Sequence, residues 1–236
     1  MRRGGRNVLR VILILLLLLA GFGVLWFGLV PQRYSPFASI SLDDPPHWFV
    51  DFRLAALRRD PEQCRATLQP PHIVATPIAD KVQPNGCGWT NAVRIAKIGT
   101  ADIGLEQLTC EAAAALALWM EYGVQPLAVE MFGSPVTWVQ DMGTYSCRNI
   151  IGNERWIATR SQHSLANAVD IGAFRLANGK QMSVKSDYRA DTPEGRFLRE
   201  AHRRACYYFR VAIGPEFNKA HHDHLHLDRG VLVRCK

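Results

Sequence analysis

The chain has 236 residues, 48% of them hydrophobic and 21% charged, a composition that supports a folded domain and excludes a disordered or collagen-like polymer. Of its formal charge of +7, four come from Arg2, Arg3, Arg6 and Arg10, within a first stretch of thirty residues that has no acid, so the remainder carries only +3. That mild excess, with no basic helix, no Gly-rich phosphate loop and no aromatic ladder, argues against a nucleic-acid partner.

Residues 11–30 contain no charged side chain. As a helix rising about 1.5 Å per residue they span a hydrocarbon core of roughly 30 Å. The arginines flank this stretch on its N-terminal side only. The positive-inside rule therefore predicts a cytoplasmic segment over 1–10, a transmembrane anchor over 11–30 and everything from Pro31 onward beyond the membrane. A cleaved signal peptide is the alternative, although Leu18 at the −3 position of a cut after Ala20 does not fit a small-x-small site. Both readings export the same residues. The six cysteines, Cys64, Cys87, Cys110, Cys147, Cys206 and Cys235, agree with that address. None forms a Cys-x-x-Cys pair, and an even number on an exported chain predicts three disulfides among 15 possible pairings. Cys206–Cys235 would tie down the C-terminus, Cys64–Cys87 would be a local staple, and Cys110–Cys147 follows by elimination.

Residues 31–47 hold Pro31, Pro36, Pro45 and Pro46 and read as a linker to a domain over 48–236. Val50 to Arg59 is amphipathic, and a second short helix is predicted around Glu62 to Leu68. Residues 70–88 are rich in Pro and Gly, and the alternation from Ala92 to Ile98 predicts a strand. Thr109 is a good N-cap for an Ala/Leu-rich helix from Cys110 to Tyr122, apolar almost all round and so buried, with Gly123 ending it. A strand from Pro135 to Asp141 leads into a loop over Gly143 to Arg148. Asn178-Gly179 between Ala168–Leu176 and Gln181–Val184 is a strong hairpin signal. Thr192-Pro193 opens a helix to about Tyr207, and Phe209–Ile213 and Leu225–Val233 read as the last strands. The expected fold is one α+β domain, helices first, with a central antiparallel sheet and flanking helices, preceded by one transmembrane helix.

Five of the eight histidines fall in Ser161-Gln162-His163 and His221-His222-Asp223-His224-Leu225-His226. In a strand, Leu225 and Leu227 face one side and His224 and His226 the other. By the same rule Val169 and Ile171 face the core, while Ala168 and Asp170 share the open face. His163 and Asp170 are too far apart on a single helix to hold one ion, so a turn must separate them. Two histidines and a carboxylate, His163, Asp170 and His226, leave one coordination position open, the pattern of a catalytic zinc site. Non-haem iron uses the same donors; an oxidising exterior and a water-activating geometry favour a single Zn2+.

Ser161, His163, Ala168 and Asp170 with His224-x-His226 resemble the signature of a metallopeptidase superfamily. It comprises D-alanyl-D-alanine carboxypeptidases, the penicillin-insensitive murein endopeptidase and, distantly, the hedgehog signalling domain. Across about residues 60–230 the chain looks closer to the bacterial extensin-like C-terminal domain proteins. That likeness rests on Cys110 in an Ala-rich helix, Tyr145-Ser146-Cys147-Arg148, the Ser161 motif, Cys206 and the His224 motif. The resemblance implies zinc on His163, Asp170 and His226, with His224 beside the reacting group. It implies that Arg148 faces the cleft to bind a carboxylate or a developing oxyanion, a structural salt bridge being the other role open to it. His221 is implied as a base or supporting group, and Ser161 as a group orienting a ligand. Ala166 stands where the family has glycine, Gln162 where an acid is common, and no Glu-x-x-His supplies a carboxylate base. The expectation is a periplasmic peptidase on the bacterial inner membrane, its partners peptidoglycan or its peptides, hydrolysing stem peptides or cross-links. A zinc-stabilised wall-binding module without activity and a disulfide-held envelope protein are the alternatives.

Overall fold

The computed structural model describes residues 2–29, 31, 34–45, 48–152 and 154–236. Val30 of the expected anchor, and Gln32, Arg33, Pro46 and His47 of the expected linker, lie outside the described residues. A helix α1 (Arg2–Trp26) takes up the charge-free stretch, and its Gly5–Trp26 portion, 22 residues, is long and apolar enough to cross a membrane. It begins before Val11 and stops at Trp26 rather than Val30. Gly28 then takes a φ of 68°, which glycine adopts without steric cost.

Part of the expected linker is built into the domain. Ile40 and Leu42 are buried in the core, the Arg53 guanidinium donates to the carbonyls of Ala38 and Ser39, and the Tyr122 hydroxyl donates to that of Leu42 at 2.8 Å. The two short helices are present as α2 (Val50–Ala56), extended by a 3-10 turn over Leu57–Arg59, and α3 (Pro61–Thr67). Asp60 caps α3 by accepting the Gln63 amide at 2.9 Å, meeting one of its unpaired N–H groups.

The Pro- and Gly-rich segment contains strands the sequence reading leaves out: β1 (Ile73–Pro77), β2 (Lys81–Val82) and β3 (Gly88–Trp89). They precede β4 (Ala92–Ile98), which was expected, and β5 (Ala101–Thr109), which was not. In β5 the side chains of Ala101, Ile103 and Leu105 are buried and those of Asp102 and Glu106 exposed, a period of two that marks a half-buried strand.

Helix α4 (Cys110–Trp119) starts where expected, but the Thr109 hydroxyl does not cap it; it bonds Asn167 Oδ1 at 2.6 Å. Nor does Gly123 end it. The chain passes through a π-helical turn, Met120–Val124, into α5 (Gln125–Phe132), and the left-handed residue that stops it is Gly133, φ 62°. Pro126 cannot donate to a carbonyl one turn back and its ring needs room there, which a π turn provides. Gly123 serves packing: a Cβ there would stand 2.9 Å from the Trp119 indole.

α4 and α5 form the crossover to β6 (Val136–Gly143), which lies parallel to β5, as a parallel neighbour requires. β7 (Ala168–Leu176) and β8 (Gln181–Ser183) pair across the Asn178-Gly179 turn. α6 (Val184–Asp187), α7 (Pro193–Ala205), β9 (Val211–Ile213), β10 (Leu225–Asp228) and β11 (Arg234–Cys235) complete the chain. The expected last strand, Leu225–Val233, therefore ends at Asp228. The main sheet has the order β1-β4-β5-β6-β7-β10-β9-β11, with β8 beside β7. Only β5–β6 and β9–β11 are parallel. The α+β class and the mostly antiparallel central sheet agree with the sequence, but helices and strands interleave. Every residue of α4 is buried, and Trp119 packs edge-on against Phe174 and Phe209.

Three disulfides form. Cys206–Cys235 is as expected, but the other two are Cys64–Cys110 and Cys87–Cys147, not Cys64–Cys87 and Cys110–Cys147. Sequence distance was the wrong guide. Cys64 on α3 packs at the start of α4, where Cys110 sits, and the β2–β3 hairpin brings Cys87 against the loop of Cys147.

At the domain's edge the Asp51 carboxylate on α2 pairs with Arg210 at 2.9 Å and with Arg229 at 2.6 Å. Its hydrogen bonds with Arg210, outweighing partial burial and reinforced by Arg229, pull its pKa from 3.8 down to about 2. A carboxylate whose pKa is lower in the folded state stabilises above its unfolded pKa, and that contribution disappears as pH falls through the folded one. Asp51→Asn is therefore expected to flatten the loss of melting temperature between about pH 4 and pH 2, measured by thermal melts across that range. An unchanged acid limb would show the pairing to be energetically idle.

Candidate metal centre

The predicted ligands are brought together from two strands and a turn. β7 and β10 are antiparallel neighbours, and their register sets His226 directly opposite Asp170. Leu225, Leu227, Val169 and Ile171 are fully buried in the core, so alternation turns Asp170 and His226 to the other face. His163 enters on a 3-10 turn, Gln162–Leu165, whose N-cap Ser161 accepts the His163 amide at 3.3 Å. The turn closes at Ala166, φ 50°, the left-handed conformation that glycine takes freely and alanine takes at a cost. Ser161 thus holds the backbone of the turn that carries His163.

His163 Nε2 lies 3.0 Å from His226 Nδ1 and 3.2 Å from Asp170 Oδ2, and His226 Nδ1 lies 3.0 Å from Asp170 Oδ1. Ligands about 2.0–2.1 Å from a tetrahedral ion stand about 3.3 Å apart, so the two nitrogens and the carboxylate, which turns one oxygen toward each of them, are spaced as the donors of such a site. Two imidazole nitrogens facing each other this closely need a cation or a shared proton between them. All three side chains are buried. Burial pushes the Asp170 carboxyl up, but hydrogen bonds from His163 and His226 hold it far below the usual carboxylate range. Burial pulls the His226 imidazole down, but Asp170 and Asp228 on either side hold it up at about 9.

The outward nitrogens are also fixed. His163 Nδ1 faces the Thr144 carbonyl at 3.3 Å and His226 Nε2 faces Asp228 Oδ2 at 3.0 Å, partners that set which nitrogen is free to ligate. Asp228 in turn accepts the Gly230 amide at 2.8 Å. The sequence reading does not include Asp228, although its place two residues beyond His226 on one strand put it on the ligand face.

His224 stands beside this cluster, its Nε2 3.6 Å from Asp170 Oδ1 and its Nδ1 2.9 Å from Asp223 Oδ1. Asp223 is a second residue the sequence reading passed over. His221 bonds Asn218 Oδ1 through Nδ1 at 2.7 Å, and its ring lies 5.3 Å from that of His224. Burial, with repulsion from His226 and His224, lowers its pKa to about 4, so it is neutral near pH 7. Arg148 lines the same cleft, about 660 Å³ in volume, with Arg155, Trp156, Phe217 and Arg234. Among the described residues no carboxylate stands within ion-pair distance of Arg148, which lines the cleft. Its loop is pinned by the Cys87–Cys147 disulfide and by the Ser161 amide, which donates to the Arg148 carbonyl at 3.1 Å.

The family model described as "Extensin-like protein C-terminus" matches residues 62–236, from α3 to the last residue and so across the whole cleft. The chain belongs to that family. The extensin-like match covers both histidine segments and all six cysteines, and leaves out α1, the docked linker and α2. No curated protein and no solved structure matches the chain.

Proposed function

We propose that this extensin-like protein is a membrane-anchored zinc peptidase, held by α1 with its N-terminus in the cytoplasm and its domain in the periplasm, hydrolysing peptide bonds of peptidoglycan stem peptides or cross-links. The observation that carries the reading is the three-ligand face of His163, Asp170 and His226 at the base of an open cleft, with His224 beside it and not needed to complete it. A closed structural site spends all its positions on protein ligands, whereas a catalytic one keeps a position open. Zinc fits the nitrogen and oxygen donors of this set and, when bound, supplies polarisation of a carbonyl and acidification of water.

The chain's own residues supply the rest. Asp228 and the Thr144 carbonyl keep the ligating nitrogens of His226 and His163 in one tautomer. Asp223 accepts from His224 Nδ1, leaving Nε2 to receive a proton at the cleft, a histidine–carboxylate pair in place of the carboxylate base the sequence lacks. His221, neutral and held by Asn218, lines the same wall beside His224 as a supporting group. The Arg148 guanidinium stabilises a developing oxyanion or binds a substrate carboxylate.

The test is the full chain, with its disulfides formed, incubated with purified muropeptides while its metal content is measured. Stoichiometric zinc and cleavage abolished by a chelator are expected. His224→Ala is expected to keep the metal and lose about 10²–10⁴-fold in kcat, the range for a general acid–base group. Zinc without cleavage, with muropeptides still bound, would make the domain a wall-binding module instead. Full activity in His224→Ala would remove that residue from the chemistry.

A further inference from the structure

Outside the cleft, the molecule's most unusual surface is aromatic and lies where α1 meets the domain. α2 buries Leu54 and, next to it, Leu57 completely, and turns Arg53 inward, yet its other side carries Phe52, 57% exposed, with Phe49 at its N-cap 47% exposed and Trp48 just before it 71% exposed. A helix on the surface of a globular domain normally turns polar groups to water on that side. These rings are continuous with the end of α1. Phe37, half exposed, packs on Phe22 and Trp26 with ring centroids 6.0 and 5.7 Å away. Tyr34, three residues earlier, lies 6.0 Å from Trp48.

We propose that this aromatic surface lies in the interface of the bilayer that α1 crosses, so that the domain rests on the membrane through α2 instead of swinging on a tether. The inference rests on α1 as a membrane-spanning helix. Three observations select a lipid surface as the occupant. Trp26 ends the apolar helix, which puts it at the hydrocarbon boundary, and tryptophan and tyrosine concentrate at that level. Phe37, packed on Trp26 and three residues before the docked Ile40, ties the domain to that boundary. Among the described residues, the ionisable groups near these rings are mostly engaged elsewhere: Asp43 by His72, Asp51 by Arg210 and Arg229, Arg53 by the carbonyls of Ala38 and Ser39, and Arg58 by Glu111, which leaves Arg59 as a single exposed cation. Among the described residues no basic cluster stands free there, so the attraction is burial of rings among glycerol and upper acyl groups, not pairing with anionic headgroups.

The experiment uses the full chain reconstituted into vesicles of phosphatidylcholine, with bromine placed either high or deep on the acyl chains, and reads tryptophan fluorescence. Trp48→Phe and Trp26→Phe isolate the two contributions by difference. Both are expected to be quenched by shallow bromine and spared by deep bromine, and adding phosphatidylglycerol should leave the result unchanged. Phe49→Asn with Phe52→Ser should reduce the shallow quenching of Trp48 at least twofold while the melting temperature holds, because both rings are exposed. Quenching of Trp26 without Trp48 would overturn the surface proposal and leave the anchor standing. If neither is quenched, the anchor itself fails and the surface proposal with it. Protection of Trp48 that rises with protein density in the membrane would identify a second copy of the chain as the occupant and overturn it as well.

Discussion

Replacing His226 by alanine is expected to leave a chain that no longer retains zinc. His163→Ala and Asp170→Ala should do the same, because each removes one of three donor groups whose nearest atoms stand 3.0–3.2 Å apart and two protein ligands hold an ion poorly. Asp228→Asn is the more discriminating variant. It keeps every ligand but replaces the carboxylate that accepts from His226 Nε2, and loss of such a partner costs about 10–100-fold in metal affinity. Metal per chain after dialysis, and competition against a chelating dye, measure both effects. Zinc at a hundredfold excess over its dissociation constant should also stabilise the wild type by about 2.7 kcal/mol, an increment absent from His226→Ala. If Asp228→Asn binds zinc as tightly as the wild type, the ligand is not the His226 nitrogen assigned here. His226→Ala with stoichiometric zinc would move the site elsewhere.

Glu111→Ala is expected to destabilise the domain by about 3–5 kcal/mol, the range for removing one partner of a buried ion pair. Glu111 at the start of α4 and Arg229 just after β10 are each 1% exposed and stand 2.8 Å apart. Arg229 also bonds the carbonyls of Tyr208 and Asp51, and Arg58 reaches Glu111 from the surface at 2.7 Å. Without Glu111 the Arg229 guanidinium stays buried with only half-exposed Asp51 to balance it. For a domain of this size the loss lowers the melting temperature by roughly 10 °C. The double variant Glu111→Leu/Arg229→Met should recover much of that stability, since it buries no unpaired charge. A double variant as unstable as the sum of the two single ones would show the two side chains to be energetically uncoupled and overturn this account. Arg229 directly follows the strand of His226 and Asp228, so Glu111→Ala should also weaken zinc binding, whereas a purely global loss of stability would leave the metal affinity of the folded fraction unchanged.

Local chemistry determined much of this protein in advance. The charge-free N-terminal stretch forms a helix long and apolar enough to cross a membrane, a conformation that satisfies its backbone groups within the segment. The Asn178-Gly179 hairpin, the start of α7 at Thr192, whose hydroxyl accepts the Gly195 amide at 3.2 Å, and the all-round apolar α4 follow from residue preferences that act within a turn or two. The candidate metal-holding residues were legible for the same reason: alternation in Ala168–Ile171 and Leu225–Asp228 puts Asp170 and His226 opposite their apolar neighbours whatever the strands pair with. What only the tertiary structure decided lies between distant segments. The register of β10 on β7 set His226 across from Asp170, the β2–β3 hairpin chose Cys147 over Cys64 for Cys87, and the buried Arg229 found Glu111 across the domain. Gly123 looked like a helix end because a glycine's backbone freedom is visible in sequence, whereas the indole that needs its missing side chain is not. Pairings of this kind depend on distances between segments far apart in the chain, and those distances exist only once the core has formed.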